Sequence, residues 1–246
     1  MAEETRDSST AMDEYLDDIL FKVIRENAEF LNNNAEEAYT EVVNLASDAI
    51  GYFGFAVKDG KSQEDRVSLY LERSMAFFFH HVLWPFSCAI HTDVLTGNLP
   101  ACFMELRLML ESLAKCYLAD SKYPEQTFFQ ERLRLLEGEK RSISKLLEDL
   151  GERLGLDFAA PLWHKLSQDW VHTKGVMDKF VGEIEKSRVP LWALVVPMNY
   201  TDNDLDALEE LRKRISQFKE LLAATAEKYQ QELSFCASSP PPSDGA

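Results

Sequence analysis

Residues 100–118 read PACFMELRLMLESLAKCYL, the most apolar helix-like run of the chain, with Arg107, Glu111 and Lys115 in its middle. Charges four residues apart form one ridge on a helix of 3.6 residues per turn, here an arc of about 80°. Such a ridge on a greasy helix is either a narrow solvated stripe or a buried polar site. Within it, Arg107 and Glu111 are placed to pair, since a carboxylate one turn away can meet a guanidinium.

The same helical periodicity extends in both directions. Pro100 fits the first turn of this helix, where a missing amide costs nothing, and Gly97-Asn98 just before it read as the C-cap of a helix over 86–96. Upstream, Tyr15, Leu16, Ile19, Leu20, Val23, Ile24 and Leu31 predict a helix over 12–31, and Val42, Val43, Ala46, Ala49, Ile50 and Phe53 predict one over 35–57. A third runs over 63–84 to Pro85, expected as a kink or break. Downstream, 125–150 reads as one long charged helix, and another begins near Pro161 and runs to an interruption at Gly175. LWALVV at 191–196, bounded by prolines, is an extended segment or an apolar plug. The last helix, over 202–235, carries Leu208, Leu211, Ile215, Phe218, Leu222, Thr225 and Tyr229 as a heptad seam, which packs within the chain or docks a second copy or a partner protein.

The expected architecture is all-α, a bundle of about seven or eight helices. Residues 12–235 form a single domain between a disordered acidic tail, 1–11, and a disordered Pro/Ser tail, 236–246. Few breakers (Gly 10, Pro 9) agree with helices over sheets.

The formal net charge is -16, from 26 Lys+Arg and 42 Asp+Glu, so the surface as a whole repels phosphate backbones and anionic membranes. An average leaves room for a local basic cleft. Cys88, Cys102, Cys116 and Cys236 show no paired spacing; they read as small hydrophobes, and a reducing cytoplasm fits. The acidic N-terminus is no signal peptide, and the apolar run 76–90 is too short for a bilayer.

His80, His81, His91 and Asp93 lie close in sequence, but without Glu-x-x-His pairs or HExxH no metal is expected, and without a glycine-rich phosphate loop no nucleotide cofactor. The segment 162–175, LWHKLSQDWVHTKG, puts Leu166 and Trp170 inward, with Thr173, Met177 and Phe180 beyond, and His172 off that face near Asp169. There His172 is a general base or a surface residue. Ser167 and His172 diverge by about 140° on an unbroken helix, which disfavours a serine nucleophile.

Two segments together resemble the HEPN-like superfamily in its uncharacterised, abortive-infection-associated helical branch. The first is the Leu-x-Gly turn of Leu95 and Gly97 followed by Arg107, Glu111, Tyr117 and Leu118. The second comprises Trp163, Leu166, Ser167, Val171 and His172. The resemblance covers about a third of the chain. It implies an all-α, often dimeric fold and a metal-independent endoribonuclease or defence effector that takes RNA in a local cleft. The family's site uses an Arg and a His about four to six residues apart, contributed by both protomers at a dimer cleft. Arg73 and His80 have that spacing, in RSMAFFFH, but core-like aromatics lie between them. The divergent set Arg107, Glu111 and His172 is the expected site: Arg107 on phosphate, Glu111 orienting it, His172 as acid/base. The alternative is a non-catalytic interaction or regulatory module in which Arg107–Glu111 is a structural ion pair.

Overall fold

The structure, a computed structural model, describes residues 4–171 and 198–238. They are overwhelmingly helical, with no strand among the described residues. The helices are α1 (Glu4–Asn34), α2 (Glu36–Gly51), α3 (Gln63–Glu72), α4 (Ser74–Phe78), α5 (Trp84–Thr96), α6 (Leu99–Lys122), α7 (Phe129–Gly138), α8 (Ile143–Leu154), α9 (Ala159–Leu166) and α10 (Leu205–Ser238). None of them is long and apolar enough to cross a membrane. LWALVV, Gly175 and His172 lie outside the described residues.

Several boundaries differ from expectation. Helix α1 starts at Glu4 and so takes in most of the stretch expected as a tail, because extending a nucleated helix adds one bond per residue fixed. The helix expected over 63–84 breaks at Arg73, whose backbone is extended (φ -104°, ψ 119°). A π-helical turn at Phe79–Leu83 then leads into α5, which puts Pro85 in a first turn, where its ring is tolerated. The helix expected over 125–150 is two helices. Between them Lys140 has φ 53°, and the Ser142 side chain caps α8 by accepting from the Lys145 amide. Glu139, in that turn, is held by Lys122 Nζ at 2.9 Å and the Tyr123 hydroxyl at 2.7 Å.

The chain divides into two compact units. The first comprises Met1–Ala46, Ser87–Leu106 and Leu166–Ile215; the second comprises Ser47–Phe86, Arg107–Lys165 and Ser216–Ala246. Every residue of the heptad seam of α10 is buried within the chain, so that stripe packs intramolecularly and is not a free docking edge.

In the first unit a fully buried Asn27 fastens the α5–α6 turn. Its Nδ2 donates to the Leu95 and Met198 carbonyls at 3.0 and 2.8 Å, and its Oδ1 accepts from the Tyr200 amide at 2.9 Å. The Tyr200 hydroxyl donates to the Val94 carbonyl at 2.7 Å. The turn ends α5 with the Asn98 amide bonded to the Asp93 carbonyl at 2.8 Å and Gly97 at φ 77°. A Cβ on Gly97 would fall on the Met198 carbonyl oxygen, well inside van der Waals contact. Gly97→Ala is therefore expected to destabilise the fold by about 2 kcal/mol or more, through both the left-handed backbone and the clash. Gly155→Ala, at φ 69° but facing open space, loses only the backbone part of that. Paired denaturant titrations check the difference; equal losses would contradict it.

Candidate functional site

Helix α6 buries most of its circumference, and Phe103, Leu106, Leu110, Leu113 and Tyr117 are at 0% exposure. The Arg107–Glu111–Lys115 ridge is neither solvated nor fully buried. Arg107 Nε lies 2.8 Å from Glu111 Oε1, with side chains 23% and 16% exposed. The Nε–H does not point along that contact, so the pair is an ion pair rather than a good hydrogen bond. The two groups do not form the bidentate pair that a guanidinium and a carboxylate can make. Lys115 turns away to Glu137 at 3.9 Å, a largely exposed pair of little energetic weight.

What holds the pair comes from α9. Trp163 Nε1 donates to Glu111 Oε1 at 2.6 Å, and the Arg107 guanidinium lies over the Trp163 ring, 5.3 Å from its centroid. Glu111 is thus fixed by an indole N–H, and Arg107 by a carboxylate and an aromatic face. In the sequence Trp163 is marked only by its place in the segment 162–175 and in the family resemblance. The other described members of that segment go elsewhere: Leu166 and Trp170 are buried, and Trp170 stacks on Phe103 at 3.9 Å between centroids. His164 lies 3.0 Å from the Ser144 hydroxyl.

Arg73 and His80 are both committed to the 53–59 loop of the second unit. Arg73 donates to the Ala56 carbonyl and, through both Nη atoms, to Asp59 at 2.7 and 2.9 Å. Burial alone disfavours the Arg73 charge, but the Asp59 carboxylate keeps its pKa above the usual value; the Arg73 hydrogen bonds hold Asp59 below its own. His80 Nε2 is 2.8 Å from the Phe53 carbonyl and its ring stacks on Phe53. Its neighbour His81 contacts the Tyr70 hydroxyl. Among the described residues no three His, Cys, Asp or Glu side chains converge as metal ligands.

The strongest polar centre of the second unit is one the sequence did not single out. Asp120, at 6% exposure near the end of α6, accepts four hydrogen bonds. Oδ1 takes the Ser74 amide at 2.8 Å and Arg132 Nη1 at 3.1 Å; Oδ2 takes the Met75 amide at 3.0 Å and the Tyr229 hydroxyl at 2.9 Å. Arg132 also donates to the Pro124 and Gln126 carbonyls. Burial, with Asp120 alongside, raises the Tyr229 pKa well above its ordinary value, so the hydroxyl stays a donor. One carboxylate thereby ties α6 to α4, α7 and α10. The available sequence signal was faint: an Asp three residues after Tyr117, on the face that α6 buries.

Comparison with protein-family models, curated proteins and solved structures finds no match to this chain.

Proposed function

We propose that this protein is a HEPN-like, RNA-directed effector in which Arg107 contacts phosphate and Glu111 and Trp163 hold it in position. The observation that carries the reading is a contrast among three arginines. Arg73 and Arg132 are enclosed by carboxylates and carbonyls, as arginines that serve packing are. Arg107 is oriented just as firmly, yet its two Nη groups have no partner among the described residues. A guanidinium fixed from behind with its donors uncommitted is suited to a phosphate oxygen. The two segments that carry the family resemblance also meet at this point, through Trp163 and Glu111. His172 enters as acid/base through the resemblance alone, in a reaction that needs no metal.

A second reading is favoured by the low exposure of Glu111 and by the acidic net charge of -16. In it Arg107–Glu111–Trp163 braces α6 against α9 in a non-catalytic interaction module. Growth on overexpression separates the two. The first reading expects the wild type to slow growth, with Arg107→Ala and His172→Ala each relieving it while circular dichroism stays helical. An innocuous wild type, together with an Arg107→Ala chain that unfolds, decides for the second.

A further inference from the structure

We propose that an exposed aromatic face of the second unit, between α3 and the start of α7, takes the chain's own proline run, residues 239–243 (SPPPS), as a polyproline II ligand. The inference is independent of the RNA reading and uses none of its residues.

Helix α3 lacks a packing partner for its apolar side. None of its ten residues is buried, although Val67, Tyr70 and Leu71 share one face at i, i+3 and i+4. Val67 is 54% exposed and Leu71 45%. A helix of this length is marginal in water by itself, and its capping box at Ser62 and Asp65 secures only the first turn. An apolar face left open on such a helix is a surface for a ligand.

The rings beside it select the kind of ligand. Tyr70 meets the His81 ring at 6.0 Å between centroids, His81 meets Phe77 at 5.2 Å, and Phe77 stacks on Phe129 at 5.1 Å. His81, on the π-helical turn, is exposed, and the other three rings are half-buried. Phe128, the next residue along, is 53% exposed. An amphipathic helix needs a continuous groove for anchors at i, i+3, i+4 and i+7. A row of aromatic rings instead lodges prolines, whose stiff extended helix loses little entropy on docking.

The chain brings such a ligand to the same place. Leu233 of α10 lines one cleft with Glu72 and Pro124. Glu72 follows Leu71 directly, and Pro124 stands four residues before Phe128. Helix α10 ends at Ser238, and Pro240, Pro241 and Pro242 come within the next four residues. In polyproline II geometry residues 239–246 span about 25 Å. A ligand tethered so closely has an effective concentration on the order of millimolar, which populates even a weak contact. The run SPPPS is uncharged, so a chain of net charge -16 does not repel it.

Hydrogen exchange of the full chain tests this, with the wild type beside a triple variant carrying Pro240→Ser, Pro241→Ser and Pro242→Ser. The amides of α3 are expected to exchange at least about threefold faster in the triple variant, at equal circular dichroism. The free peptide SSPPPSDGA at about 5 mM should restore their protection, and should fail to do so once Phe128→Ala, at an exposed position, is added. Equal exchange of α3 in the wild type and the triple variant would overturn the proposal. So would protection that rises with protein concentration, which would mean that a second copy covers the face.

Discussion

Asp120→Ala is expected to destabilise the protein by about 3–5 kcal/mol, because it strands a buried guanidinium, two amides at the start of α4 and a buried phenol together. For a chain of this size that is a fall of roughly 6–20 °C in melting temperature. Asp120→Asn should lose less. Its carbonyl oxygen still accepts, but its amide faces donors on the other side. The pair Asp120→Leu with Arg132→Met should lose less than the sum of the single changes, since removing both charges leaves neither unpaired. Melting curves of the five variants, the two single changes of the pair included, check this; a loss under about 1 kcal/mol for Asp120→Ala would mean that the carboxylate is dispensable.

Glu105 should give the first unit a stability that falls as pH rises through neutrality. Burial, reinforced by the Asp93 carboxylate, raises the Glu105 pKa to about 7, and its Oε2 is buried without a partner. Asp93 is itself raised by burial, and Cys102 on the next turn is pushed far up by burial and by these same two carboxylates, so no positive charge comes from these neighbours. The folded state holds the Glu105 proton more tightly than the unfolded chain, whose carboxyl titrates near 4.5. The contribution is therefore complete below the unfolded value and is lost as pH rises through about 7. Allowing for solvent at the open edge of the carboxyl, the loss is about 1–2 kcal/mol. The paired acids Asp59, Glu139 and Asp149, whose pKa values are lowered, act in the opposite direction and only in more acidic solution. Glu105→Gln should flatten the profile near neutrality and be the more stable protein above it. Urea midpoints that do not change between pH 5.5 and 8.5 in the wild type would contradict this.

Much of the fold is readable because apolar residues recur at helical spacing. The Gly97 turn, the start of α3 behind Ser62 and the heptad seam of α10 all carry their reason within one or two turns of chain. The breaks at Arg73 and Lys140 do not. Arg73 leaves the helix to reach Ala56 and Asp59, and the turn around Lys140 is held through Lys122 and Tyr123, partners that no local window contains. The candidate site divides the same way. Arg107 and Glu111 are visible as a pair because four residues separate them. Trp163, which orients both, is 52 residues from Glu111, and Asp120 meets Tyr229 across 109. Long-range polar contacts leave no periodicity, so a lone Asp at the end of an apolar helix reads as a helix end.

The most direct test of the proposed function is RNA cleavage by the purified full chain in excess EDTA, wild type beside Arg107→Lys. The account predicts cleavage without metal. It also predicts a loss of about 100-fold in Arg107→Lys at unchanged helicity, because an ammonium keeps the charge but not the planar fork that Glu111 and Trp163 hold in place. A wild type that leaves RNA intact, or an Arg107→Lys protein that cuts as fast as the wild type, would contradict it.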